Sequence, residues 1–394
     1  MKPRPLTGLR ILDFTRVYSG PLATLMLSDL GAEVIKVERP GQGDDSRSFG
    51  PLVGGTSGYF ETLNRNKKSL AVDFRRPDGQ RLLRRLLKDV DGLVENFRPG
   101  QMAKFGLDYG SLQDDFPDLV YVSLSGFGQD NPSAARGCYD IVAQAESGLM
   151  GLTGQPDLPM KTGPAVADAL SGLTAAVGML AALLGRERGK GGAHVDVAMV
   201  DSVFACLENS LAMYSATGQI PQRQGNSDAV LAPFDAFQAE DGWIVIATGN
   251  DAQWQALARL MGPGWIEDPR FATNQQRLAH SEALHAAIQT WCQGQASLVI
   301  LDRLHQAGLP AGSVRGIDEL SSDPRLEARG MLARIALADG SALLVPGSPI
   351  RLEDTGKIEY RRGPRLGEHT HVILANYASQ AELAEWQAAG LIQT

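Results

Sequence analysis

Cysteine is scarce in this chain, and positive charge is outnumbered. Cys138, Cys206 and Cys292 stand far apart among 394 residues. An odd, scattered set excludes a disulfide framework and a zinc cluster, and fits a reducing compartment. Lysine and arginine total 37 against 45 acids, a net charge of −8. No general positive field is available for nucleic acid, so any anionic ligand must be met by local cations. The first strand-to-helix turn lacks Gly-x-Gly-x-x-Gly, and Gly41-Gln-Gly43 is only a fragment of it. That argues against an NAD-dependent dehydrogenase, and the missing Gly-x-x-x-x-Gly-Lys-Ser/Thr removes a P-loop. The histidines His194, His280, His285, His305, His369 and His371 form no ligand spacing with acids or cysteines, so no metal site is expected. The most apolar window, Leu170 to Leu184, is about 15 residues and falls short of a bilayer span. Met1-Lys-Pro-Arg-Pro5 leads into a strand-like segment without an apolar signal stretch. The expectation is a cytoplasmic protein with neither membrane nor nucleic acid as partner.

What is present is an ordinary globular balance, 43% apolar and 21% charged residues, on a chain long enough for two or three domains. Leu9 to Phe14, Ala32 to Glu38, Leu70 to Phe74, Gly92 to Phe97 and Leu119 to Leu124 read as strands. Helical patterns lie between several of them, most clearly Asp78 to Val90. Alternation of this kind predicts a parallel sheet covered on both faces, whose ligands bind beyond the carboxyl ends of the strands. Tyr18, Arg39, Asn96-Phe97-Arg98 and Ser125-Gly-Phe-Gly128 fall at those ends.

Asp168 is the one acid between Leu158 and Arg186. After it, Leu170, Leu173, Val177, Leu180 and Leu184 recur at helical spacing, with Ala and Gly crowding both faces. An acid just before such a run reads as an N-cap. A sharper reading, compatible with the first, is a carboxylate held ionised by the positive end of a helix and presented to a substrate. Further on, His194 to Met199 is another strand and a helix starts near Asp201. Gln219 to Asp228 has linker composition. Phe234 to Gln238 and Trp243 to Ala247 flank Glu240-Asp-Gly242, a hairpin signal. Thr248-Gly-Asn-Asp251 then opens a helix to Met261 with Asp251 as its cap, and a second hairpin is centred on Asp339-Gly340. The expected division is a large domain over 1–200, a linker over 201–224, a small domain over 225–330 and a return segment over 331–394.

Several motifs occur together: Leu12-Asp-Phe-Thr-Arg-Val-Tyr-Ser-Gly-Pro21, Gly31-Ala-Glu-Val-Ile-Lys-Val-Glu-Arg39, Asn64-Arg-Asn-Lys-Lys-Ser69, Val94-Glu-Asn-Phe-Arg-Pro-Gly100 and Gly163 to Gly172. Pro233-Phe234, Ala328-Arg-Gly330 and Pro346-Gly-Ser-Pro349 follow in order. Over essentially its whole length the chain resembles the class III CoA-transferases, the formyl-CoA transferase family, with α-methylacyl-CoA racemase and carnitine CoA-transferase as near relatives. The resemblance implies an α/β fold: a Rossmann-like large domain with a parallel sheet, a smaller α/β domain, and an interlocked, ring-shaped homodimer. It implies acyl-CoA and a carboxylic acid as substrates, coenzyme A as substrate rather than permanent cofactor, and Asp168 as the nucleophile.

Residue by residue, it places CoA contacts at Tyr18, Ser19, Arg39, Val72, Arg75, Asn96, Phe97, Arg98, Lys104, Tyr139 and Asp140. Taken singly, Arg39, Arg75 or Lys104 is a solvated surface charge, and Phe97 is a core aromatic or a base contact. Their common place at the ligand edge favours binding. Many transferases have Gln where this chain has Tyr18. Tyr139 stands where the racemases have His; with a side-chain pKa of about 10 it is unsuited to two-base proton exchange. An acyl-CoA racemase or an intramolecular CoA migrase is the alternative activity. Thr248, Gly249 and Asn250 stand where formyl-CoA transferase has a run of glycines over its intermediates. That departure points away from formyl-CoA and oxalate, toward a dicarboxylate and succinyl-CoA.

Overall fold

Six segments of the sequence become the parallel strands of one sheet: β1 (Arg10–Asp13), β2 (Glu33–Glu38), β3 (Lys68–Val72), β4 (Gly92–Glu95), β5 (Val120–Ser125) and β6 (Ala193–Ala198). This computed structural model describes residues 2–337 and 339–394. The strand order is β6-β5-β4-β1-β2-β3, and Ile392–Gln393 adds an antiparallel edge beside β3. The chain reverses direction across the sheet between β1 and β4, the switch point at which open α/β sheets bind ligands. The central strands are buried on both faces, which is why they read as continuous apolar runs rather than alternating ones. β3 starts two residues earlier than its apolar run. Its polar head is held by tertiary partners, Lys68 on Glu33 and Ser69 on Glu38.

Two compact units are present. The first comprises Met1–Leu149, Thr162–Leu211 and Pro324–Thr394; the second comprises Met150–Lys161 and Ala212–Asp323. The span expected as a linker contains the helices Met199–Phe204 and Ser210–Thr217; only the Gln- and Gly-rich end of it has linker composition. In the first unit, one sheet face is packed by α1 (Ser19–Asp29) and the long helix α5 (Val166–Gly185). The other is packed by α3 (Pro77–Leu86) and the C-terminal helices. α2 (Gly58–Asn64) and α4 (Asp140–Glu146) complete the elements that border the site.

α5 has 20 residues, more than its apolar window suggested, and is long and apolar enough to cross a membrane by length and composition alone. It packs as a core helix along one face, through Ala167, Ser171, Ala175, Met179 and Leu183. Crowding on both faces is not what this chain provides: Leu173, Val177 and Leu184 are exposed, Val177 by 66%. At Gly172 a Cβ would lie 2.6 Å from the Ser19 carbonyl oxygen. The bare α-carbon is what lets α1 approach α5 one turn beyond Asp168.

The second unit has its own core, built on the antiparallel strands Phe234–Gln238 and Trp243–Ala247 with Ala311–Ser313 as a third strand. The first two match the hairpin expected around Glu240-Asp-Gly242. The other expected hairpin pairs Leu332–Ala336 with Ala342–Pro346.

Candidate active site

Asp168 sits in the first turn of α5, but the capping position is Ala165. Its carboxylate does not hold the helix start. Asp140, at the head of α4, does so from outside: its Oδ1 accepts the Ala167 amide at 2.8 Å and the Asp168 amide at 3.3 Å. The N-cap reading of Asp168 is thus corrected, and so is the idea that the helix end keeps it ionised. Burial, then the Asp140 charge, push the Asp168 carboxyl up to about 7, against the hydrogen bond donated by the Ser19 hydroxyl. Tyr18 lies beside it; burial and then the Asp168 charge raise that phenol above its ordinary value. Tyr59 of α2 does the same and meets the Tyr18 ring edge-on at 6.2 Å. Cys138 is a further neighbour, its thiol pushed up to about 11 by burial and then by Asp168. Neither Tyr59 nor Cys138 carries a signal in the sequence, since each arrives from another element.

The turn after β1 brings Tyr18 and Ser19 to this place, and it is fixed from three sides. Asn96, after β4, accepts the Arg16 amide at 2.8 Å through Oδ1 and donates to the Arg16 carbonyl at 2.9 Å through Nδ2. Its amide is therefore committed to the turn. Lys36 Nζ, fully buried, donates to the Thr15 carbonyl at 2.7 Å and pairs with Asp44 at 2.8 Å. Asp44 accepts the Val17 amide at 3.2 Å. Val17 has φ 67, a conformation that costs a β-branched residue about 1–3 kcal/mol and persists only where neighbours impose it. Beneath the turn, Lys67 Nζ meets Asp13 at 2.9 Å, both side chains wholly buried. Burial alone would raise the Asp13 carboxyl; Lys67, Lys36 and Thr15 outweigh it and hold the group below the usual carboxylate range.

A pocket of about 150 Å³ opens at the carboxyl ends of the strands beside the switch point, lined by Arg16, Arg39, Arg75, Phe74, Phe97 and Phe105 among others. Of the expected contacts, Arg39, Arg75 and Phe97 come together here, and Arg16 joins them unforeseen. Arg16 is paired with Asp45 and Arg75 with Asp73. The Arg39 guanidinium makes no ion pair among the described residues. Burial, then Arg75 and Arg16, lower its proton affinity against the opposite pull of Asp73 and Asp45, as expected where cations are gathered close together. The Phe97 ring meets Phe74 edge-on at 6.3 Å, and its amide donates to Glu95. A larger groove, about 700 Å³, borders α3 and the 115–119 segment. It lies where β4 and β5 begin, the end of the sheet away from these groups.

Other expected contacts are placed differently. Val72 is wholly buried in the sheet core, so its side chain faces no ligand. Arg98 is exposed, its guanidinium against Gly137, and Lys104 is exposed beside Gln101; neither lines the pocket. Tyr139 is 77% exposed at the N-cap of α4 and encloses nothing in the single chain. In the second unit, Thr248 is buried and donates to the Pro233 carbonyl at 3.0 Å, and the Gly249 amide donates to Gln253 at 2.7 Å. Asn250, not Asp251, caps the following helix, accepting the Gln253 amide; Asp251 instead pairs with the buried Arg277. Among the described residues, no group of acids, histidines and cysteines has the placement of a metal site.

The family model of CoA-transferase family III matches residues 6–370. An acetyl-CoA:oxalate CoA-transferase of Acetobacter aceti is 39% identical over 383 residues, 96% of this chain and 97% of that protein. A succinate–glutarate CoA-transferase of Agrobacterium fabrum is 38% identical over 380 residues, 94% of this chain and 95% of that one. The solved structure of a CaiB/BaiF family protein from Brucella suis is 39% identical, covers 95% of this chain and 100% of its own, and has a TM-score of 0.84. A parallel sheet with an arginine-lined pocket at its switch point, and motifs matched almost end to end, thus have one origin: the chain belongs to CoA-transferase family III and is an enzyme that moves coenzyme A from an acyl-CoA thioester to a carboxylic acid.

Proposed function

We propose that Asp168 is the covalent nucleophile of this transfer and that the acceptor is a dicarboxylate. The observation that carries the first part is the setting of Asp168: half-buried, its carboxyl pushed up to about 7, and joined to the anion pocket by one short turn. In the reading we favour, a carboxylate oxygen of Asp168 attacks the thioester carbonyl. The carbon–sulfur bond breaks, giving an acyl–aspartyl anhydride and CoA thiolate. The thiolate attacks the aspartyl carbonyl, forming an aspartyl–CoA thioester and releasing the donor acid, which leaves with one oxygen of Asp168. The acceptor carboxylate attacks that thioester and releases the thiolate again. Thiolate attack on the acceptor's carbonyl then forms the new acyl-CoA and restores Asp168, now carrying one oxygen from the acceptor. A desolvated, basic carboxylate is the better nucleophile here, and limited water protects the anhydride.

Turnover with an acceptor acid labelled with ¹⁸O in its carboxylate should therefore place ¹⁸O in the peptide containing Asp168, read by mass spectrometry. An unlabelled Asp168 peptide after many turnovers would sink the covalent reading. The Acetobacter aceti and Agrobacterium fabrum relatives are named for oxalate and for succinate and glutarate, which supports a dicarboxylate acceptor and returns oxalate to the candidates.

Arg39 and Arg75 are read as holding the phosphates of CoA, with the phenylalanines of the pocket against its base. Arg39→Ala should raise KM for acyl-CoA by about tenfold or more with little change in kcat, because a remote anion contact serves ground state and transition state alike. Arg75→Ala should do less, since Asp73 already neutralises it. The reverse order in steady-state kinetics would overturn this assignment.

The exposed apolar face of α5, at Leu173, Val177 and Leu184, supports a homodimer, read here as the interlocked ring of the family. The three cysteines, unpaired in the chain, fit work in a reducing cytoplasm.

A further inference from the structure

The nucleophile has a second carboxylate beside it that the transfer chemistry leaves unused. We propose that Asp140 is a positioning residue for Asp168: by taking the leading amides of α5 it keeps the nucleophile off its own helix and free to attack. The proposal rests on Asp168 being the acylated group.

An acid in the first turn of a helix ordinarily finds its own helix's free amides, which point along the axis and carry the positive end of the dipole. Such a carboxylate is stabilised as the ion, and is correspondingly a weaker base and a poorer nucleophile. Asp168 has that position without that fate. The amides of Ala167 and Asp168 itself are spent on Asp140 Oδ1. Among the described residues, the Ser19 hydroxyl is the group that favours the ionised Asp168.

Asp140 is itself fixed. Its Oδ2 accepts Gln144 Nε2 at 2.6 Å one turn along α4, and Gln144 is wholly buried. Gln144 Oε1 in turn accepts the Thr162 amide at 3.0 Å and the Thr162 hydroxyl at 3.4 Å. The relay runs from the head of α5, through α4, to the strand of chain that leads into α5, so both ends of the entry segment are tied to one carboxylate. The groups that face this pair are Tyr18 and Ser19 from α1, Tyr59 from α2 and Cys138 from the segment before α4. The tyrosines and the cysteine are neutral at working pH, so the Asp140 charge acts on Asp168 without a counter-charge among these neighbours.

The roles of cap and charge are separable. Asp140→Asn keeps an oxygen for the α5 amides and removes the negative charge; Asp140→Ala removes both. The wild-type profile of kcat/KM for acyl-CoA against pH should rise with an inflection near 7. In Asp140→Asn that inflection should move lower, with a severalfold lower plateau from the weaker base. In Asp140→Ala the plateau should fall further. Asp140→Ser, another neutral acceptor, is the second variant if the asparagine protein does not fold. Loss of the cap frees the α5 amides for Asp168, so an Asp140→Ala plateau and inflection no lower than those of the neutral acceptor variant overturn the proposal, and so does a rise in KM alone, which would make Asp140 a simple CoA contact. Wild-type turnover with ¹⁸O acceptor separates the two levels: no label on Asp168 defeats the nucleophile reading, whereas label with Asp140→Ala matching the neutral acceptor variant defeats only the role of Asp140.

Discussion

Asp168→Asn should lower CoA transfer by about 10⁴-fold or more and, at pH 8, raise the melting temperature. The two effects have one cause. A carboxyl pushed up to about 7 in the folded chain keeps its proton there across a pH range in which the unfolded chain, with its value near 3.8, has lost it. Between those values the folded state binds more protons than the unfolded one, so this group's contribution to stability falls as pH rises from about 4 to about 7. The full shift corresponds to an upper bound of about 4 kcal/mol above pH 7. Asparagine fills the same space without a charge to desolvate, so it should be more stable than wild type at pH 8 and indistinguishable from it at pH 4. Thermal unfolding at both pH values, with activity by thioester exchange, checks both halves. Activity within tenfold of wild type would remove Asp168 from the chemistry. A lower melting temperature at pH 8 would remove the electrostatic account while leaving the nucleophile in place.

Lys67→Met should destabilise the protein by about 3–5 kcal/mol, the usual cost of leaving one member of a buried ion pair alone. Lys67 Nζ has four partners within 3.0 Å: Asp13, the Pro21 carbonyl, the Thr24 hydroxyl and Asn64. Methionine approximates the stem but leaves Asp13, wholly buried, with one lysine fewer to hold its charge. Adding Asp13→Asn should recover part of the loss, because removing both charges also removes their desolvation. Denaturant midpoints of the two single variants and the double variant measure the coupling. A loss below about 1 kcal/mol in Lys67→Met would show that the pair behaves like a surface ion pair, and that the turn above it is held by other groups.

The parallel strands could be read in the sequence because strands buried on both faces leave unbroken apolar runs. The hairpin around Glu240-Asp-Gly242 was legible because its turn chemistry is local. The start of β3 at Lys68 was not, since its polar head depends on Glu33 and Glu38 brought by a neighbouring strand. The same division holds for the site. Asp168 stood out as a solitary acid at the head of an apolar helix, but its environment did not. The group that takes its helix's amides lies 28 residues away, and Tyr59 reaches it from another helix. Asn96 and Asn250 stand out in the sequence by position, but not for the hydrogen bonds they make: each spends its side chain on backbone, one on the β1 turn and one on a helix start. An amide's hydrogen bonds are set by whichever backbone passes within reach, and sequence spacing does not record that.

Arg16 and Ser19 lie three residues apart, at opposite ends of one stiff bend with Val17 wound the left-handed way between them. The first lines the arginine-rich recess, the second lies against the Asp168 carboxyl. A ligand that pulls on the near end has little slack to take up before the far end feels it. On the function proposed above, grip on the nucleotide half of the carrier and aim of the reacting oxygen would be geared together, so that binding energy gathered far from the scissile bond is delivered as alignment at it.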